Sequence, residues 1–255
     1  MGGHASRDHG RYRRLRGFNL AVGLLLAVEG GWMWAASSDL SLPITASYLT
    51  ADPVTLRDAT LPEVAFRIAV GPAVAVFLLL AALDHFVTAA PGAHRWYERN
   101  LDRRVNYVRW IEYSVSASIM IVLIGLFVGI RDIAAVVGIF AANTAMILFG
   151  LLMERQQTPD RADWAAFWFG SLVGLAPWLA IAVYVAQPPR IPGFVWAIII
   201  VQLVLFATFA VNMALQYARI GRWRDYRFGE VSYIVLSLVA KSALAWLIYA
   251  NVLRS

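Results

Sequence analysis

Seven long apolar runs separated by short polar stretches dominate the chain. They fall at about residues 17–37, 63–90, 105–130, 132–154, 163–187, 192–219 and 228–253. Each reaches the ~20 residues that a helix rising 1.5 Å per residue needs to cross ~30 Å of hydrocarbon. The pattern therefore predicts an all-α fold, a bundle of seven transmembrane helices. The third and fourth runs nearly touch at Ile130-Arg131-Asp132, which demands a tight turn. The longest connection, about 38–62, holds a stretch from Leu40 to Leu49 that mixes β-branched and polar residues, with Pro43 and Pro53 as punctuation. A short β-hairpin on the membrane surface is expected there. Residues 1–16 are polar, and the run after them lacks a clear small-residue cleavage site. That reads as a retained anchor and not a removed signal peptide. The chain divides into a basic N-terminal segment, 1–16, and one membrane domain, 17–255.

Composition agrees. Hydrophobic residues make up 60% of the chain and charged ones only 15%, against about 25% charged in soluble proteins. There is no cysteine, which excludes disulfides, thiolate metal sites and cysteine nucleophiles. The net charge of +6 raises the question of nucleic acid, and the distribution of that charge answers it. The N-terminus and the second, fourth and sixth connections carry fifteen Arg, and the opposite face carries four, Arg57, Arg131, Arg190 and Arg254. By the positive-inside rule the N-terminus is cytoplasmic and the C-terminus extracellular, in the cell (plasma) membrane. The basic balance encodes topology, and no nucleic-acid partner is implied.

Of the 22 basic residues only one, Lys241, is a lysine, and it lies near the middle of the seventh run. A charge there costs roughly 2.5–3.5 kcal/mol on the insertion scale, and intramembrane ionisable groups are functional by default. An amine in an apolar pocket can attack a carbonyl and form a Schiff base. The other reading is an ion pair that locks two helices. In either case the natural partner is Glu112 in the third run, about six residues shallower, or roughly 9 Å at 1.5 Å per residue. Glu112 also has a simpler option, pairing with Arg109 one turn earlier. Ser237 precedes Lys241 by four residues and Ser116 follows Glu112 by four, so each pair shares a helix face. His85, beside Asp84 in the second run, is placed to take or shuttle a proton. Asn143, mid-way along the fourth run, needs an interhelical partner or a ligand group. Glu29 has no evident partner, and Glu154 reads as interfacial. Among the aromatics Trp168, Trp178, Phe206, Phe209 and Trp246, the pair Phe206 and Phe209 is the candidate flat slot for a conjugated ligand.

The segment Arg109-Trp-Ile-Glu112-Tyr113-Ser-Val-Ser116-Ala resembles the third-helix signature of the heliorhodopsins, an inverted-topology family of microbial rhodopsins. Ser237-Leu-Val-Ala-Lys241, His85, Asn143 and the Leu-Met-Glu154 ending of the fourth run are similar to the same family. The resemblance covers essentially the whole chain and has the cytoplasmic N-terminus inferred above. It implies all-trans retinal bound covalently to Lys241 as a protonated Schiff base, with Glu112 as its counterion and Tyr113 within the binding site. It also implies a homodimer with the first extracellular loop at the interface. Pump rhodopsins have a carboxylate four residues before the lysine, where this chain has Ser237. Their proton donor lies eleven residues after the third-helix counterion, where this chain has Leu123. One departure from the family stands out: Leu26 occupies the place of a usual His, and Glu29 that of a usual Gln.

The expectation is a retinal photoreceptor with a slow photocycle, signalling to an unidentified cytoplasmic partner. It is not expected to be an enzyme. The alternative is a light-driven or light-gated ion transporter, which Asp84, Glu29 and Arg109 keep in play.

Overall fold

Spans this apolar must satisfy every backbone group internally, and helices do so in lipid. The computed structural model describes residues 2–47, 62–158, 162–187 and 189–254, with side chains from Arg13 onward. Arg57, Arg161, Pro53 and the Tyr48–Leu49 end of the expected hairpin lie outside the described residues. The elements are α1 (Gly2–Ala35), β1 (Ser41–Ala46), β2 (Glu63–Ala69), α2 (Val70–Ala89), α3 (Pro91–Asp102), α4 (Tyr107–Phe127), α5 (Ile133–Gln156), α6 (Ala165–Ala186), α7 (Gly193–Tyr217) and α8 (Tyr226–Ile248). Among the described residues seven helices are long and apolar enough to cross a membrane, all but the short α3. α1 packs on α2, α2 on α4, α4 on α5 and α5 on α6, while α7 packs on α8, which returns to α1 and α2. α4 is the most buried span, whereas α6 and α7 leave residues such as Leu172, Leu179, Ile200 and Val204 facing outward, as lipid contact requires.

Three boundaries differ from the sequence reading. Residues 63–69, counted into the second apolar run, form β2, which pairs antiparallel with β1 in the register Ser41↔Ala69 to Ala46↔Glu63. The hairpin therefore closes between distant strands and not within Leu40–Leu49. Arg67 consequently sits on a strand, where it donates to Ser41, and not in a helix. Helix α1 extends into the polar N-terminal segment instead of starting near residue 17. The loop after α2 contains α3, which Pro91 opens from a position where its missing N–H costs nothing.

Side-chain caps fix the helix starts. Asn106 accepts from the Arg109 N–H at 3.1 Å, Asp132 from Ala134 at 2.9 Å, and Asp225 from Arg227 at 3.0 Å. The tight turn at 130–132 is a Schellman closure. Gly129 adopts φ +99°, the Ile130 N–H returns to the Gly125 carbonyl at 2.9 Å, and the Gly129 N–H to Leu126 at 3.1 Å. The same closure ends α3 and α7, but there the left-handed position is held by arginine, Arg104 (φ 60°) and Arg219 (φ 54°). That conformation costs a non-glycine residue roughly 1–2 kcal/mol. β1 is tied to the α4–α5 turn by the Thr45 N–H, which donates to the Arg131 carbonyl at 2.8 Å.

Candidate functional site: a buried lysine beside an apolar cavity

Lys241 projects from α8 and is 3% exposed. Its Nζ donates to Glu112 Oε2 on α4 at 3.1 Å and to Ser237 Oγ, one turn back on α8, at 2.8 Å. The Tyr113 ring lies 4.8 Å from Nζ. The separation of depths read from the sequence is thus bridged by the side chains. Glu112 does not pair with Arg109. Its second oxygen, Oε1, is buried without a hydrogen-bond partner, as are Ser116 Oγ and, on α2, Asp84 Oδ1. Asp84 lies within electrostatic reach of both Glu112 and Lys241.

From Lys241 a cavity of about 290 Å³ runs between α4, α5, α6, α7 and α8. Its volume matches the lower end of small-molecule sites, and its walls are overwhelmingly apolar. Ser237 and Tyr113 stand with Lys241 on its boundary, and Trp178, Phe206 and Phe209 form part of the aromatic wall. Phe206 and Phe209 both face the cavity, as their three-residue spacing predicts, but a different ring braces each. Phe206 meets Trp178 edge-on at 5.7 Å, and Phe209 meets Tyr113 edge-on at 5.6 Å. Trp110 closes another side, and a β-carbon on Gly150 of α5 would overlap its indole. Trp168 is exposed and does not line the cavity.

The remaining candidates lie elsewhere. His85 is buried and its Nδ1 shares a 2.7 Å hydrogen bond with Asn19 Oδ1 on α1. Asn143 finds an interhelical partner: its Nδ2 donates to Ser118 Oγ at 3.0 Å, and that hydroxyl pairs with Thr144 at 3.0 Å. Ser116 is fully buried but does not line the cavity. Glu29 accepts from Ser242 Oγ at 2.6 Å and from Trp246 Nε1 at 3.0 Å, which ties α1 to α8.

A second buried polar cluster sits toward the bundle end where α4 begins. Arg109 is ion-paired with both Glu154 of α5 and Glu230 of α8. Its guanidinium carbon lies 4.1 Å from the Tyr233 ring centroid and 4.9 Å from that of Trp110. Glu154 is buried rather than interfacial and also accepts from Trp110 Nε1 at 2.6 Å, Tyr226 OH at 3.0 Å and the Asn106 N–H at 3.0 Å. Glu230 accepts from Tyr97 OH at 3.0 Å and Asn106 Nδ2 at 2.7 Å. Burial first, and Glu230 beside it second, push the Tyr97 hydroxyl well above the usual phenol range, so it stays a donor. Sequence reasoning missed Glu230. The available signal was its position eleven residues before Lys241, three turns along the same helix face.

The heliorhodopsin family model matches residues 15–253, nearly the whole chain. The chain belongs to the heliorhodopsin family. No curated protein matches it. Among solved structures, the transmembrane domain of the Salpingoeca rosetta rhodopsin phosphodiesterase is similar at 14% identity and TM-score 0.66, covering 98% of this chain and 88% of that one. The cyanorhodopsin of the cyanobacterium Tolypothrix sp. NIES-4075 is 14% identical, with TM-score 0.62 and coverage of 93% and 94%. A light-driven proton pump from Leptosphaeria maculans is 14% identical, with TM-score 0.62 and coverage of 94% of both chains. At this identity the likeness concerns the fold alone.

Membership in the heliorhodopsins and the rhodopsin fold imply a retinal chromophore in a multi-pass membrane photoreceptor. The residues present fit such a group. An elongated conjugated hydrocarbon needs an apolar, ring-lined slot, and this one has an amine on its wall. A lysine that served only to pair with Glu112 would account for neither the cavity nor the orphaned Glu112 oxygen.

Proposed function

We propose that this heliorhodopsin is a light sensor in which all-trans retinal is held covalently at Lys241 Nζ and Glu112 is the counterion. The observation that carries the reading is the single lysine, paired with Glu112 and opening into the cavity. When bound, retinal supplies visible-light absorption and photoisomerisation. The protein's part is to hold, shield and respond. Ser237 Oγ orients Nζ, Glu112 neutralises the positive charge there, and Tyr113, Phe206, Phe209 and Trp178 confine the ligand and exclude water. The positions where pump rhodopsins carry acids are Ser237 and Leu123, and Leu123 is buried among apolar neighbours. That speaks for slow signalling to a cytoplasmic partner and against ion pumping. The resemblance also supports a homodimer through the first loop, where Val64 and Phe66 of β2 are exposed.

The experiment is a visible spectrum of membranes expressing the protein with all-trans retinal added, followed by hydroxylamine under light. A visible band that bleaches is expected, and no band would sink the reading. A second reading, light-driven proton transport, draws on Asp84, whose buried Oδ1 has no partner near the Lys241–Glu112 pair. Illuminated cells expressing the protein are expected to give no steady photocurrent or pH change, whereas a sustained signal would favour transport.

Glu112→Gln removes the negative charge beside the chromophore nitrogen. Positive charge then spreads along the polyene, so the band is expected to shift to the red, as acid should do to the wild type. A variant spectrum identical to wild type at acidic and neutral pH would remove Glu112 from the counterion role.

A further inference from the structure

Four acids stand in the half of the bundle where α4 begins: Asp84, Glu112, Glu154 and Glu230. Among the described residues only two cations pair with them, Lys241 and Arg109. Three of the acids are well supplied. Glu112 takes Lys241 Nζ at 3.1 Å, while Glu154 and Glu230 share Arg109 and accept further bonds from Trp110, Tyr226, Tyr97 and Asn106. Asp84 has nothing comparable. Its Oδ1 is buried, and no described residue donates to it. Leu83 and Val87, close by on α2, face outward, so what Asp84 exposes meets lipid and not water. A carboxylate without cation or donor in such a place is costly, and the ordinary outcome is a neutral group.

A neutral acid has an O–H to give, and Glu112 Oε1 is a buried acceptor that lacks a donor. α2 packs on α4, and the two run in opposite directions. Asp84 lies five residues before the end of α2 at Ala89, and Glu112 five residues after the start of α4 at Tyr107. Both therefore stand about 7.5 Å in from the same end of the bundle, at 1.5 Å per residue. The charged and titratable groups that reach Asp84 are Glu112 and Arg109 on α4, Lys241 and Glu230 on α8, and Tyr97 on α3. His85, its neighbour on α2, turns instead to Asn19 on α1.

We propose that Asp84 is held as the neutral acid and that its Oδ1–H donates to Glu112 Oε1. One hydrogen bond then satisfies both orphaned oxygens, and a bond from a hydroxyl to a carboxylate is of the strong, charge-assisted kind. Asp84 becomes a positioning residue. It fixes the Glu112 carboxylate, whose other oxygen meets Lys241 Nζ, and draws part of the negative charge away from that nitrogen. The proton on Asp84 stands by itself, whereas its effect on colour rests on the counterion reading above.

The test uses the full chain in membranes, before and after all-trans retinal is added. Before addition, with aspartate isotope-labelled at the side-chain carboxyl carbon, infrared spectra at neutral pH are expected to show the isotope-shifted carbonyl stretch of a protonated carboxylic acid. Asp84→Asn is expected to lose that band. After addition, two substitutions separate a neutral acid from a charged one. Asp84→Asn keeps a donor for Glu112 and removes no charge, so the visible band is expected at the wild-type position. Asp84→Leu keeps the size but removes the donor, which concentrates charge on Glu112 and is expected to shift the band to the blue by several nanometres. An ionised Asp84 would give the opposite sign, a red shift in both variants, because each then removes a negative charge near Nζ. That outcome, or a wild-type infrared spectrum without the acid band, overturns the proposal. An Asp84→Leu band at the wild-type position overturns the bond to Glu112. Membranes that stay colourless sink the chromophore reading and leave the infrared comparison to decide the proton.

Discussion

Lys241→Ala is expected to abolish the visible band completely. The chain has no other ε-amine, so no second attachment point can restore colour. Alanine also leaves Glu112 as a buried carboxylate without its cation, which by itself destabilises the fold. Lys241→Arg separates the two effects. Arginine keeps a positive charge opposite Glu112, but its guanidinium stays protonated and does not form the carbonyl linkage. The expected result is a folded, monodisperse, colourless protein. A residual band in either variant, at the wild-type wavelength and resistant to hydroxylamine, would show that light absorption does not depend on this amine.

The second large effect belongs to Arg109. One cation holds two buried carboxylates, Glu154 and Glu230, from α5 and α8. Removing one member of a buried ion pair typically costs 3–5 kcal/mol, because the charge left behind is uncompensated. Here two charges are left behind. For a chain of this size Arg109→Gln is expected to lower the thermal midpoint by about 10 °C, taking roughly 2–4 °C per kcal/mol. Adding Glu154→Gln and Glu230→Gln should recover much of that loss, since neutral amides can keep hydrogen bonds to Trp110, Tyr226, Tyr97 and Asn106. The melt in detergent, followed by circular dichroism, is the measurement. A single variant that melts with the wild type would mean the cluster does not hold the bundle.

The seven spans were legible because lipid permits few alternatives to long apolar helices. The Lys241–Glu112 pair was legible because a charge in that setting is costly enough to need a reason. The start of the second span was misplaced because hydropathy sums over residues without regard to period. Val64, Phe66 and Ile68 alternate at the strand period of two, and that alternation was hidden inside a longer apolar run. α3 was read only as a source of arginines, although Pro91 marked its start. The ion pairs of Arg109 were hidden for a different reason, since the three-turn spacing of Glu230 from Lys241 marks its helix face but names no partner. Glu154 and Glu230 stand near the ends of their spans, where a carboxylate ordinarily meets water. Their burial arises from α3 laying Tyr97 against Glu230 and from Asn106 bonding to both acids. That arrangement exists only once the bundle has assembled. The surroundings of His85 and Asn143 show the same limit, since each is paired with a neighbouring helix that no spacing rule names.

The confinement of the only lysine to the bundle interior has an analytical use. Apart from the chain's α-amine, the protein offers amine-directed reagents a single target, 3% exposed and beside an apolar cavity. Acylation, reductive methylation and isotope labelling of lysine all become single-site reporters, free of the surface background that other membrane proteins carry. The fraction of chains modified at that one nitrogen would measure site occupancy directly, by mass, without any reference to colour.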